Sequence, residues 1–68
     1  MTNIKQEQKQ HIREIVKDIY NMDGYNYNDK KEAIEDLKNE ADKYNKELNY
    51  NLNNQELNAI VKNTIRFL

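Results

Sequence analysis

Four oxygen-bearing side chains gather between residues 23 and 29, namely Asp23, Asn26, Asn28 and Asp29, around the chain's only glycine, Gly24. Oxygen donors at this density are what a calcium loop uses. Such a loop needs oxygens at alternating positions, glycine at the sixth and a bidentate glutamate at the twelfth. Counting from Asp23 puts Tyr25 and Tyr27 at the third and fifth positions, and counting from Asn26 puts Lys30 at the fifth. Neither register holds a cation. The segment reads instead as a corner, with Gly24 closing one helix in a left-handed conformation and Asn28 and Asp29 opening the next.

The remaining chemistry is sparse. His11 is the only histidine, with Glu7 and Glu14 nearby in sequence, and no cysteine or second histidine is present to complete a tetrahedral metal site. Serine is absent too, and no glycine-rich loop could cradle a phosphate. The expectation is a protein without enzymatic activity, cofactor or metal.

Two sets of side chains could bind macromolecules. Lys5, Lys9, Arg13 and Lys17 recur every fourth residue and form a basic line that could follow phosphates. The same line could pair with residues 29 to 48, which carry seven acids against five bases. Near the C-terminus, Gln55, Asn58, Lys62 and Arg66 share the outer face of a helix and are types that bond base edges or phosphates. The preceding connection, "NYNLN", is longer than the turn of a helix-turn-helix motif and lacks glycine. A nucleic-acid regulator is therefore the alternative reading. The first is a protein partner met by exposed aromatics, Tyr25, Tyr27, Tyr50 and Phe67, since tyrosine is enriched at interfaces. Replacing Tyr25 and Tyr27 by alanine is then expected to weaken binding and leave helicity intact.

Three helices are expected to position these groups. Ile12, Ile15, Val16 and Ile19 form one helical stripe, which Ile4 extends backwards, giving a helix over about residues 3–22. Tyr20 and Met22 lie near its lower end. A capping box of Asp29 and Glu32 opens a second helix, about 29–48, with Ile34, Leu37, Ala41, Tyr44 and Leu48 as its seam. Asn53 and Glu56 form another box, and Leu52 and Leu57 occupy the positions of a hydrophobic staple. The third helix, about 54–67, then aligns Leu57, Ile60, Val61, Thr64, Ile65 and Leu68, with Phe67 flanking them.

The fold expected from these elements is all-α, a compact three-helix bundle forming a single domain over residues 1–68. A helical hairpin whose third helix completes a homodimer core is the other arrangement. Sixty-eight residues bury a modest core, and without cysteine no disulfide can staple it. Acids and bases nearly cancel, at a net charge of −1, which gives no whole-chain attraction for nucleic acid or anionic membrane. No apolar run approaches the roughly 20 residues of a membrane span, and the N-terminus lacks a signal-peptide apolar region. A cytoplasmic location with no membrane contact is the expectation.

The stretches "KKEAIEDL" and "LNYNLNNQELNAIVKNTIRFL" resemble the soluble helical tail of LLH-type phage holins. Ala33, Ile34 and Leu37 match the first helix of that tail, and Leu57, Ala59, Ile60, Val61, Ile65 and Leu68 match the second. The resemblance covers residues 29 to 68. It implies a phage or mobile-element origin and a small protein that works by binding another protein. Holins of this kind carry a membrane segment ahead of the tail, and no stretch here reads as one, so lysis activity is not implied.

Overall fold

The computed structural model describes residues 4–23 and 26–67, which form three helices, α1 (Ile4–Asp23), α2 (Lys30–Glu47) and α3 (Asn54–Arg66). All three pack on one another in an elongated bundle of 40 × 20 × 19 Å, and contacts from the start of α1 to the corner after α2 and to the start of α3 make its direction up-down-up. The helix bounds fall within a residue of the sequence expectation, which is the margin by which frayed helix ends differ between criteria. Gly24, expected to close α1, lies outside the described residues, as do Asn3 and Leu68.

The core is assembled from all three helices of one copy. Ile12 and Val16 come from α1, Ala33, Leu37 and Ala41 from α2, and Leu57, Val61 and Ile65 from α3, with Leu52 added by the second corner. The α1 stripe behaves as its spacing requires in the middle, where Ile15 and Ile19 pack half-buried against this cluster. Its two ends do not. Ile4 is 70% exposed and Met22 72%. The first turn of α1 already stands level with the first turn of α3, so no further helix covers Ile4.

Helix α2 is rotated from its expected seam. Its buried line is Ala33, Leu37, Ala41 and Asn45, whereas Ile34 and Tyr44 are half-buried and Leu48 is exposed. Packing on two neighbours at once explains the change. A helix wedged between α1 and α3 centres its buried line midway between the two neighbours, with Ala33 and Ala41 allowing close approach around Leu37, and leaves Ile34 and Tyr44 at the edges.

Both start signals of α2 and α3 are realised. Glu32 N–H donates to Asp29 Oδ1 at 2.8 Å, although the Glu32 carboxylate takes the Asn28 amide, one residue earlier than a standard box. At α3 the box is complete. Glu56 N–H donates to Asn53 Oδ1 at 2.8 Å, and Asn53 N–H donates to Glu56 Oε1 at 3.1 Å. Leu52 and Leu57, the staple positions, are both buried.

The α2–α3 corner carries the tightest local structure. Asn49 sits at φ 58°, the left-handed region that asparagine tolerates better than most residues. Around it, Tyr50 N–H reaches Asn45 O at 2.8 Å and Asn49 N–H reaches Lys46 O at 3.1 Å. These are the paired bonds of a Schellman closure, with asparagine in the place usually held by glycine. Asn45 then clamps the chain a second time. Its Nδ2 donates to Leu52 O at 2.9 Å and its Oδ1 accepts from Leu52 N–H at 3.2 Å.

Asn45 is 7% exposed, so this clamp pairs buried groups that have no access to water. Asn45→Ala is expected to lower stability by about 2–4 kcal/mol in denaturant unfolding, because it leaves both polar groups of Leu52 unpaired. Asn45→Asp keeps the acceptor but turns an oxygen toward the Leu52 carbonyl. Its carboxyl is held neutral by burial, so its stability deficit is expected to widen as pH rises. A loss below about 0.5 kcal/mol for the alanine variant, the level of an ordinary surface change, is incompatible with the clamp.

Candidate protein-binding groove

The first turns of α1 are committed to holding the α2–α3 corner. Gln8 Oε1 accepts from Asn51 N–H at 3.3 Å, and His11 Nδ1 and the Tyr50 hydroxyl lie 2.6 Å apart, their rings meeting edge to face at 5.8 Å. Lys5 and Lys9 converge on Glu56, at 3.1 and 3.3 Å. The first half of the basic line thus pairs with α3 rather than with the acidic surface of α2. Among the described residues, Arg13 and Lys17 stand exposed without an ion pair. Gln55, Lys62 and Arg66 are exposed on α3 and Asn58 is half-buried there.

The aromatic set divides. Tyr27 is half-buried, stacked parallel on Tyr20 at 6.4 Å, and donates its hydroxyl to Asp36 Oδ2 at 2.6 Å. Burial, then the Asp36 hydrogen bond, then the charges of Asp36, Asp23 and Glu40 hold its phenol proton well above the ordinary tyrosine range. Tyr50 is half-buried against His11. Neither ring is the exposed anchor expected from sequence. Both have internal partners on neighbouring helices, Tyr20 and Asp36 for Tyr27 and His11 for Tyr50. Tyr25 lies outside the described residues. Phe67 is different, with 79% of its surface exposed.

Phe67 stands at the rim of an open groove of about 580 Å³ between α1 and α3. Gln6, Lys9, Gln10 and Arg13 line one wall, and Ile60, Asn63, Thr64 and Phe67 the other. The spacing is helical on both sides. Residues 6, 9, 10 and 13 form one strip of α1, and 60, 64 and 67 one strip of α3. The apolar face of α3 is therefore double. Leu57, Val61 and Ile65 are almost fully covered, and the adjacent strip passes from half-buried Ile60 over buried Thr64 to exposed Phe67. Thr64 Oγ1 is buried along this strip and has no hydrogen-bond partner among the described residues.

The groove joins Arg13 and Lys9, read from sequence as a phosphate line, with Phe67, read as a protein anchor. Gln6, Gln10 and Asn63 have no signature in the sequence, since amides on a polar face carry no periodic signal. The spacing of Ile60 and Thr64 places them in a single core stripe. The exposed Phe67 at the end of their strip was the available sign that this face exceeds the core. At the α1–α2 corner, Asp29 Oδ1 caps the start of α2 by accepting from Glu32 N–H, and Asn28 takes part through its backbone N–H, which donates to Glu32 Oε2. Among the described residues, no group of three or more acidic or histidine side chains is placed to hold a metal ion. None of the described helices is long and apolar enough to cross a membrane. Comparison with known proteins returns no matching family model, curated relative or solved structure, so the groove's geometry carries the functional argument.

Glu56 lends itself to a pH test. The Asn53 amide, and then Lys5 and Lys9, hold its carboxyl below the ordinary 4.5 against an opposing effect of partial burial. A depressed carboxylate stabilises the fold above its unfolded-state value and loses that contribution as pH falls through the folded-state value. Glu56→Gln keeps a capping oxygen and removes the charge. The stability gap between wild type and variant is expected to be present at neutral pH and to close on acidification below 4.5. A gap independent of pH is the contrary result.

Proposed function

We propose that this chain is a non-enzymatic protein-binding module whose working surface is the α1–α3 groove. The observation that carries this reading is Phe67, a large apolar ring 79% exposed beside a groove partly floored by Ile60 and Thr64. Interfaces draw most of their energy from a few such rings packed into pockets, and aromatic residues are enriched among them. Tyr27 and Tyr50 support the reading indirectly, because their internal partners leave Phe67 as the exposed ring among the described aromatics. The reading agrees with what the holin-tail resemblance implies for residues 29 to 68, a helical unit acting on another protein.

A nucleic-acid role is less well supported. Lys5 and Lys9 are already drawn to Glu56, and none of Gln55, Asn58, Lys62 and Arg66 lines the groove. Phosphate binding gains affinity with each further cation engaged, and this arrangement withdraws two of four from the basic line.

The test compares tagged wild type with Phe67→Asp and Tyr27→Ala as baits in host extract, with quantitative mass spectrometry and circular dichroism of each bait. Phe67→Asp is expected to keep its stability within about 0.5 kcal/mol, as surface changes do. It should lose captured protein by more than about tenfold, the loss of one anchor worth 1.4 kcal/mol or more. Tyr27→Ala should lose stability instead. Equal capture by wild type and Phe67→Asp contradicts the proposal, and so does tight binding of duplex DNA that weakens steeply with salt.

A further inference from the structure

We infer that the groove between α1 and α3 takes an acidic amphipathic helix from another protein, lying along it as a fourth helix of the bundle for about two turns. The inference rests on the reading of this chain as a protein-binding module and specifies its partner's chemistry. Length comes from the walls. Gln6 to Arg13 and Ile60 to Phe67 each span seven residue steps, about 10 Å of helix. Two parallel strips of this length offer the surface that a short helix meets with residues at i, i+3 or i+4, and i+7. Shape comes from the α3 wall, where half-buried Ile60 and exposed Phe67 give apolar seats on either side of Thr64.

Charge decides the partner's sign. The chain as a whole is nearly neutral, at −1, yet the groove is lined by two cations, Lys9 and Arg13, and by no acidic side chain among the described residues. Glu56 already draws Lys9 toward the start of α3. Arg13 has no ion pair there, and its planar guanidinium is suited to bidentate contact with a carboxylate. An occupant with apolar residues toward Ile60 and Phe67, and Asp or Glu toward Arg13, satisfies both walls.

This chemistry separates the partner from two other occupants. A nucleic acid would gain from several free cations, and the groove offers Arg13 with Lys9 already shared. A second copy of this chain would have to present an acidic apolar strip. Its most acidic helix, α2, turns its apolar residues inward or leaves them half-buried, and Leu48 at its C-cap is 39% exposed.

A surface-displayed library of helical segments about 15 residues long, long enough for partial helicity when bound, tests the inference. One face is randomised, and wild type, Arg13→Glu and Phe67→Asp serve as baits after circular dichroism has established that each is folded. Wild type is expected to enrich segments with apolar residues at i, i+4 and i+7 flanked by Asp or Glu. Individual enriched peptides should bind Phe67→Asp at least about tenfold more weakly. Arg13→Glu should invert the flanking preference to Lys or Arg. Acidic and basic flanks enriched equally, with Phe67 still required, overturn the charge assignment and leave the protein-binding reading standing. Absence of any Phe67-dependent enrichment overturns both. Binding of single-stranded or duplex DNA that Arg13→Glu abolishes gives the face to nucleic acid. A dimer in light scattering that Phe67→Asp dissociates gives it to a second copy. Either result overturns the inference.

Discussion

The side-chain amide of Asn45 fixes the corner between α2 and α3. Asn45 occupies a position in the buried line of α2 where leucine or alanine would be ordinary, and it holds both backbone groups of Leu52. A side-chain amide has a donor and an acceptor about as far apart as those of a backbone unit, so it can pair with an extended residue as a neighbouring strand would. The bond fixes where the chain turns after α2, and so where Asn53 begins α3. From there the consequences run outward. Asn53 orients Glu56, Glu56 collects Lys5 and Lys9 of α1, and the angle of α3 against α1 leaves the groove open beside them. Buried polar groups commonly add specificity more than stability, and here the specified quantity is a corner.

The same corner shows how one short segment can be held from three directions. Backbone bonds close it behind Asn49, the Asn45 clamp holds it from beneath, and Gln8 and His11 hold it from α1. Residues 48 to 53 contain three asparagines, a composition that suits a loose loop on propensity alone. Tertiary bonds override that propensity. The opposite end of the bundle relies on different forces, a stacked tyrosine pair and a phenol bonded to Asp36.

The helices were legible because their boundaries are written in local chemistry, such as Asn53 with Glu56 or Asp29 with Glu32, which acts within four residues. The rotation of α2 was less legible. An apolar pattern skips Asn45 by construction and hands the seam to Tyr44 and Leu48, whereas the structure buries the polar residue because Leu52 satisfies it. The half-burial of Tyr27 and Tyr50 is hard to read for a related reason: each meets a side chain on another element, Asp36 on α2 and His11 on α1. The groove could not be read at all from one helix. It exists because α1 and α3 present two strips at a particular rotation, and only Phe67 hinted that α3 has more apolar face than a three-helix core consumes.

That doubled face of α3 ties folding to occupancy. Val61 and Ile65 serve the interior, while Ile60 on the same thirteen-residue helix and Phe67 at its C-cap line the groove. Any ligand that prefers the ordered helix to the unfolded chain shifts the folding equilibrium by mass action, by about 2.7 kcal/mol at a hundredfold excess over its dissociation constant. For a domain of this size that is a large share of the whole. A ligand that filled the strip beside the core would thus raise the molecule's melting temperature with its concentration.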